Sequence, residues 1–159
     1  MYVIALGVTA AADGSPASLT IAYLTSGEYE TACCAPAARP WTWLLDGALD
    51  AAERVVAHDA ARTQRLLAQV VAAEGHELPD LGIECVRTRA LRLFPGLDDD
   101  SLPGLCRLLG LEMPWDQKEC AEGVATGLVS AALDRHEAAL RRGVSPALPQ
   151  PRPLAALAA

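Results

Sequence analysis

The stretch VVAHDAARTQRLL, Val55 to Leu67, decides the fold. Val55-Val56-Ala57 is a short apolar run that ends on His58-Asp59, and helical periodicity begins at once. A strand that delivers a His and an acid to its carboxyl end, then turns into a helix, marks an edge of an α/β sheet where sites are commonly built. The plainer reading of the same residues is that an acid placed directly before a helix caps its free amides.

Upstream, Tyr2 to Val8 is an apolar run with β-branched residues, closed by Ala-Ala-Asp-Gly-Ser-Pro at 11–16; it predicts a strand buried on both faces. Ser18 to Thr25 and Tyr29 to Cys34 follow around the Ser26-Gly27 turn, completing a three-stranded meander. After the break at Pro36 to Pro40, a helix is predicted from Trp41 to Arg54, with Leu44, Leu45, Ala48, Ala52 and Val55 inward. Downstream of the opening strand, a helix over Ala60 to Ala73 carries Leu66, Leu67, Val70 and Val71 at helical spacing and stops at Gly75. Ile83 to Val86 predicts a strand, and Thr88 to Phe94 a helix halted by Pro95-Gly96. The acids Asp98-Asp99-Asp100 with Ser101 suit the N-terminus of a helix over Leu102 to Leu109 better than a calcium loop, which needs alternating ligands and a closing Glu. A last helix is predicted over Gln117 to Arg142, with Ala121, Val124, Leu128, Ala131 and Ala132 inward and Gly143 as its stop. The whole is an α/β fold: a mixed sheet of about five strands, the first three a meander, flanked by helices.

At 159 residues the chain suits one domain, expected over 1–143, with SPALPQPRPLAALAA beyond it as a flexible Pro- and Ala-rich tail. Only seven residues are aromatic, which favours closely packed helices on a modest sheet. The net charge of −7 argues against strong sequence-independent binding of nucleic acid, which requires clustered cations. The trio Arg87, Arg89 and Arg92 reads first as a solvated face and second as a phosphate-contacting strip. Cys33, Cys34, Cys85, Cys106 and Cys120 contain no CxxC pair, so buried free thiols in a reducing cytoplasm are expected rather than a zinc site. MYVIALGV lacks a basic leader, and no apolar stretch is long enough to span a bilayer; a cytoplasmic location without membrane contact is expected.

From Val55 to Leu140 the sequence resembles the DEDD 3′–5′ exonucleases, the DnaQ-like group within the ribonuclease H-like fold. VVAHDAARTQRLL is similar to that family's second motif, ECVRTRALRLFPGLDDDSLPGLCRLLGLEMP to the segment after it, and KECAEGVATGLVSAAL to its third. The resemblance implies four carboxylates holding two divalent metal ions for phosphodiester cleavage, with a His as general base. Carried over by position, the first motif's Asp-x-Glu falls on Ala5 and Gly7, followed by Thr9. The second motif's Asp falls on Thr63, while His58 is kept and Asp59 replaces an Asn. The third motif's His falls on Glu119 and its Asp on Val124. Every implied metal carboxylate is missing, and neutral side chains do not replace that charge. Four carboxylates crowded without metal would repel one another, so apolar replacements relieve strain and favour the folded state.

The expected protein is therefore a catalytically inactive exonuclease-like domain, with no catalytic residue, no metal and no cofactor, whose remnant cleft is Thr9, His58, Asp59 and Glu119. It is expected to act by binding: a protein partner first, contacted through Trp41, Trp43, Trp115 or the Pro-rich tail, and weakly held single-stranded nucleic acid second. The alternative is an active magnesium- or manganese-dependent 3′–5′ exonuclease with relocated ligands, drawn from His58, Asp59, Glu119, Asp116 and Glu122. The lone serines Ser18, Ser101 and Ser130 lack a nucleophile-elbow context, and His76 and His136 are expected in polar, exposed surroundings.

Overall fold

Three long antiparallel strands set the frame. In a computed structural model, which describes residues 2–26, 28–112, 120–146 and 148, the chain forms β1 (Tyr2–Ala10), β2 (Pro16–Thr25) and β3 (Glu28–Pro36), then α1 (Thr42–Leu49), β4 (Arg54–Ala57) and α2 (Ala60–Ala73). After these come β5 (Glu84–Cys85), α3 (Val86–Leu93), α4 (Leu102–Leu108) and α5 (Ala121–Arg141). Among the described residues there is one five-stranded sheet in the order β3-β2-β1-β4-β5. The meander pairs antiparallel, with Ala5 opposite Ala22 and Gly7 opposite Thr20; β4 and β5 add in parallel, with Ala5 opposite Val56. The expected mixed sheet of five strands flanked by helices, ribonuclease H-like in its order, is the fold found.

Both faces of β1 are covered, as its continuous apolar run requires. On one side Ile4, Leu6 and Val8 meet Trp41, Leu45 and Ala48 around α1 and Leu66, Leu67 and Val71 of α2. On the other, Val3 and Ala5 meet Val124, Ala125 and Val129 of α5, backed by Ala90 of α3 and Leu105 of α4. No described helix is long and apolar enough to cross a membrane.

Several boundaries differ from the sequence reading. The helix expected from Trp41 to Arg54 ends at Leu49, because Arg54 must already be extended to pair with Val3, and the Glu53 amide donates to the Tyr2 carbonyl. Val55 is accordingly a strand residue. The expected strand 83–86 shrinks to two residues, and Val86 already starts α3. The last helix begins at Ala121; Gln117 to Glu119 lie outside the described residues. Its inner face is broader than the predicted stripe: residues 123–127 and 129–133 are buried, whereas Ala121 and Leu128 are half-buried. The expected arginine face does not hold for Arg89, which is only 4% exposed. Nor are the thiols uniformly buried: none of the five is in a disulfide, yet only Cys106 is fully covered. His76 is exposed as expected, but His136 is half-buried and packs edge-on against Phe94.

Candidate functional site

The edge where β4 becomes α2 is held by a closed set of polar contacts. Asp59 is extended and caps α2, one carboxylate oxygen accepting the Arg62 amide at 3.0 Å. Its other oxygen lies 3.6 Å from Arg87, whose Nε donates to Asp100 at 2.6 Å. The His58 Nε2 is 2.9 Å from the Asp100 carbonyl, an acceptor, so that nitrogen carries the proton in this contact. The His58 carbonyl in turn accepts from the Arg87 amide and the Cys85 thiol. Burial works against the Cys85 thiolate, but hydrogen bonds from Thr88 and from the amides of Ala60 and Thr88 outweigh it, and the thiol's pKa is lowered. His58 and Asp59 thus tie β4, α2, α3 and the loop before α4 together; the capping reading describes their contacts.

The positions that the resemblance assigns to metal ligands meet a wall of backbone. Gly7 lies so close under α5 that a Cβ there would stand 2.6 Å from the Gly123 nitrogen and 2.9 Å from the Glu122 Cβ. Real Cβ atoms do not approach backbone that closely, so this strand position admits no side chain without moving the helix. One turn on, a Cβ at Gly127 would meet Leu24 at 2.6 Å and Ala5 at 3.3 Å, and one at Gly123 would meet Thr20 at 2.6 Å. Small residues on both sides bring helix and sheet together, and Ala5 and Val124 are buried in the core they share. Thr63, in the first turn of α2, is buried as well. Thr9 is engaged across the β1–β2 pair, its hydroxyl 2.6 Å from that of Ser18. Glu119, with Asp116 and Trp115, lies outside the described residues.

Ala5, Gly7, Thr63 and Val124 supply no carboxylate, and at Gly7 there is no space for one, so these positions do not fit the two-metal arrangement. Among the described residues, no group of three His, Cys, Asp or Glu side chains is placed to hold a metal ion. One carboxylate does stand at this edge. Glu122 is half-buried above Gly7, and burial pushes its pKa up, against a smaller opposing pull from the Arg62 charge.

A second polar assembly, at the opposite end of the sheet, escaped the sequence reading. Buried Arg89 donates to Glu137 at 2.8 Å, to Asp134 at 2.7 Å and to Glu84 at 3.3 Å. Arg54 shares Asp134 at 3.1 Å and Glu84 at 3.0 Å. The only sequence signal was Asp134 and Glu137, three apart on the last helix, facing an arginine on a neighbouring one.

No protein-family model matches the chain, and no curated protein matches it in sequence. Among solved structures, the chain is similar to the nuclease domain of 3′hExo, a DEDDh family member, in its complex with rAMP. The TM-score is 0.58 at 9% identity, covering 95% of this chain and 96% of that one. At that identity the likeness establishes the fold, which is that of the DnaQ-like exonucleases.

Proposed function

We propose that this exonuclease-fold protein acts by binding a partner and does not cleave phosphodiester bonds. The observation that carries the reading is the contact at Gly7: where a ligand side chain would project from β1, the backbone of α5 fills the space. Metal-assisted hydrolysis needs converging charged oxygens around an accessible reacting phosphate, and this edge offers small apolar residues packed on a helix. His58, which the resemblance keeps, and Asp59, which stands where it has an Asn, are engaged in holding loops. The experiment is incubation of the pure chain with end-labelled single-stranded DNA and RNA in magnesium and in manganese. No shortening of either strand is expected, and turnover removed by Glu122→Gln would overturn the reading.

A protein is the favoured partner. Trp41 is entirely buried and leaves the list of candidate contacts, whereas Trp43, on α1, is 63% exposed. An exposed aromatic of this size on a short helix is the kind of anchor interfaces use. Nucleic acid held weakly is the lesser alternative; labelled single strands titrated at low salt would bind with a marked salt dependence if it holds. Five cysteines without a disulfide accord with a reducing, cytoplasmic setting.

Glu122 favours a second reading. A carboxylate on α5, directly above Gly7, sits near where the resemblance puts one on the strand. With Asp59 it would be the start of a relocated ligand set for magnesium or manganese, and the same assay decides between the two readings.

A further inference from the structure

A cavity of about 930 Å³ opens at the end of the sheet where β1 and β4 begin, opposite the His58–Asp59 edge. Its apolar floor includes Val3, Leu24 and Ala131, beside Gly127. The wall is the assembly in which Arg54 and Arg89 share Glu84 and Asp134, and Arg89 also holds Glu137. Its two arginines balance two of the four carboxylates that line the cavity, Glu28, Glu84, Asp134 and Glu137. Arg92 from α3 and Arg135 and Arg141 from α5 add three cations at its rim. Among the described residues neither Arg92 nor Arg135 has a carboxylate within salt-bridge distance, and Arg141 approaches Glu137 only at 3.9 Å. The Glu137 carboxyl is held below its ordinary value first by the Arg89 hydrogen bond, against the cost of burial, and then by the charges of Arg89, Arg141 and Arg92. Arg54 Nε is buried without a hydrogen-bond partner, a donor with no acceptor.

We propose that this cavity binds a small phosphorylated ligand of nucleotide size, with its phosphate at Arg92, Arg135 and Arg141 and its apolar part on Val3, Leu24 and Ala131. Guanidinium groups match the oxygens of a phosphate and keep their charge at every physiological pH. Glu28, on the lining beside the β2–β3 turn, is placed to accept hydrogen bonds from hydroxyl or amino groups of such a ligand. The cavity falls within the size range of small-molecule sites, and its mixture of an apolar floor with a few charged groups is their usual make-up. A long polyanion fits less well, because the chain carries a net charge of −7 and Glu28 lines the same cavity. The proposal is independent of whether the other edge cleaves anything.

The test is calorimetry and amide NMR on the full chain with ADP, pyrophosphate, adenosine and a single-stranded oligonucleotide as probes. ADP should bind with a Kd of about 10–500 μM, pyrophosphate more weakly and adenosine more weakly still. The shifted amides should lie on α3, α5 and the start of β4. Arg92 and Arg135 are exposed, so the double variant Arg92→Gln/Arg135→Gln should keep its melting temperature and lose roughly tenfold or more of the ADP affinity. The proposal is overturned by silence from ADP and pyrophosphate, by affinity that the double variant leaves unchanged, by shifts confined to the His58 edge, or by an oligonucleotide that binds more tightly than ADP.

Discussion

Gly7 and Glu122 carry the argument at the scale of single residues. Glycine at position 7 is required by the approach of α5, not by backbone conformation, so Gly7→Ala is enough to test it. Its Cβ would press on the backbone of Gly123, which has no flexible end to swing away. The expected loss is about 3 kcal/mol in urea unfolding, at the upper end of overpacking costs. Gly47, exposed in the middle of α1 with nothing near a Cβ, makes the contrast. Gly47→Ala should gain about 0.5–1 kcal/mol, since only helix propensity changes. Glu122 yields a prediction with a sign. Its folded pKa is raised by burial, so the native state holds that proton more tightly than the unfolded chain does. Stability from this group is therefore full below the ordinary glutamate value and is lost as pH rises through the raised folded value. Glu122→Gln should melt higher than the parent at pH 7 to 8, and the gap should close by about pH 4. A gap that widened towards acid would show that the carboxylate is stabilised where it stands.

At the scale of elements, Arg89 joins α3 to α5 and to the start of β5. Its guanidinium is buried against three carboxylates, and removing it strands their charges together. Arg89→Met should cost about 3–5 kcal/mol, the penalty for breaking a buried ion network from one side. The Glu137 pKa is depressed, so the stability of that pair is present above the ordinary glutamate value and disappears as pH falls through the folded one. Arg89→Met should accordingly lose much of the parent's acid sensitivity in that range. The elements themselves were unequally legible in the sequence. α2 was bounded correctly at both ends, because Asp59 supplies a side-chain cap and Gly75 adopts the left-handed turn that only glycine takes readily. α1 was drawn too long because Ala52 and Val55 continue its apolar spacing, and nothing local says that Arg54 pairs with β1. The small-residue face of α5 was missed for a related reason. Gly123, Gly127 and Ser130 do not register as apolar periodicity, although they set how closely the helix lies on the sheet.

For the whole molecule, order and spacing of elements were enough to anticipate the mixed five-stranded sheet and its exonuclease-like arrangement. The meander, the β4–α2 edge and the closing helix each left a pattern in the chain. The candidate site was legible only through the resemblance, which implies carboxylates at the positions of Ala5, Gly7, Thr63 and Val124 but cannot say what surrounds them. Filling by the α5 backbone is a tertiary fact, and it separates the two functional readings thermodynamically. A ligand that binds only the native state raises stability by RT ln(1 + [L]/Kd), which is about 2.7 kcal/mol at a hundredfold excess over Kd. For a domain of this size that is a melting shift of about 5–10 °C. The closed edge predicts that about 10 mM magnesium or manganese moves the melting temperature by less than about 1 °C, in the parent and in Glu122→Gln alike. A relocated metal set predicts a shift of several degrees in the parent that Glu122→Gln removes. Because this readout needs no substrate, it would detect a metal-binding edge even if the nucleic acid it serves were never found.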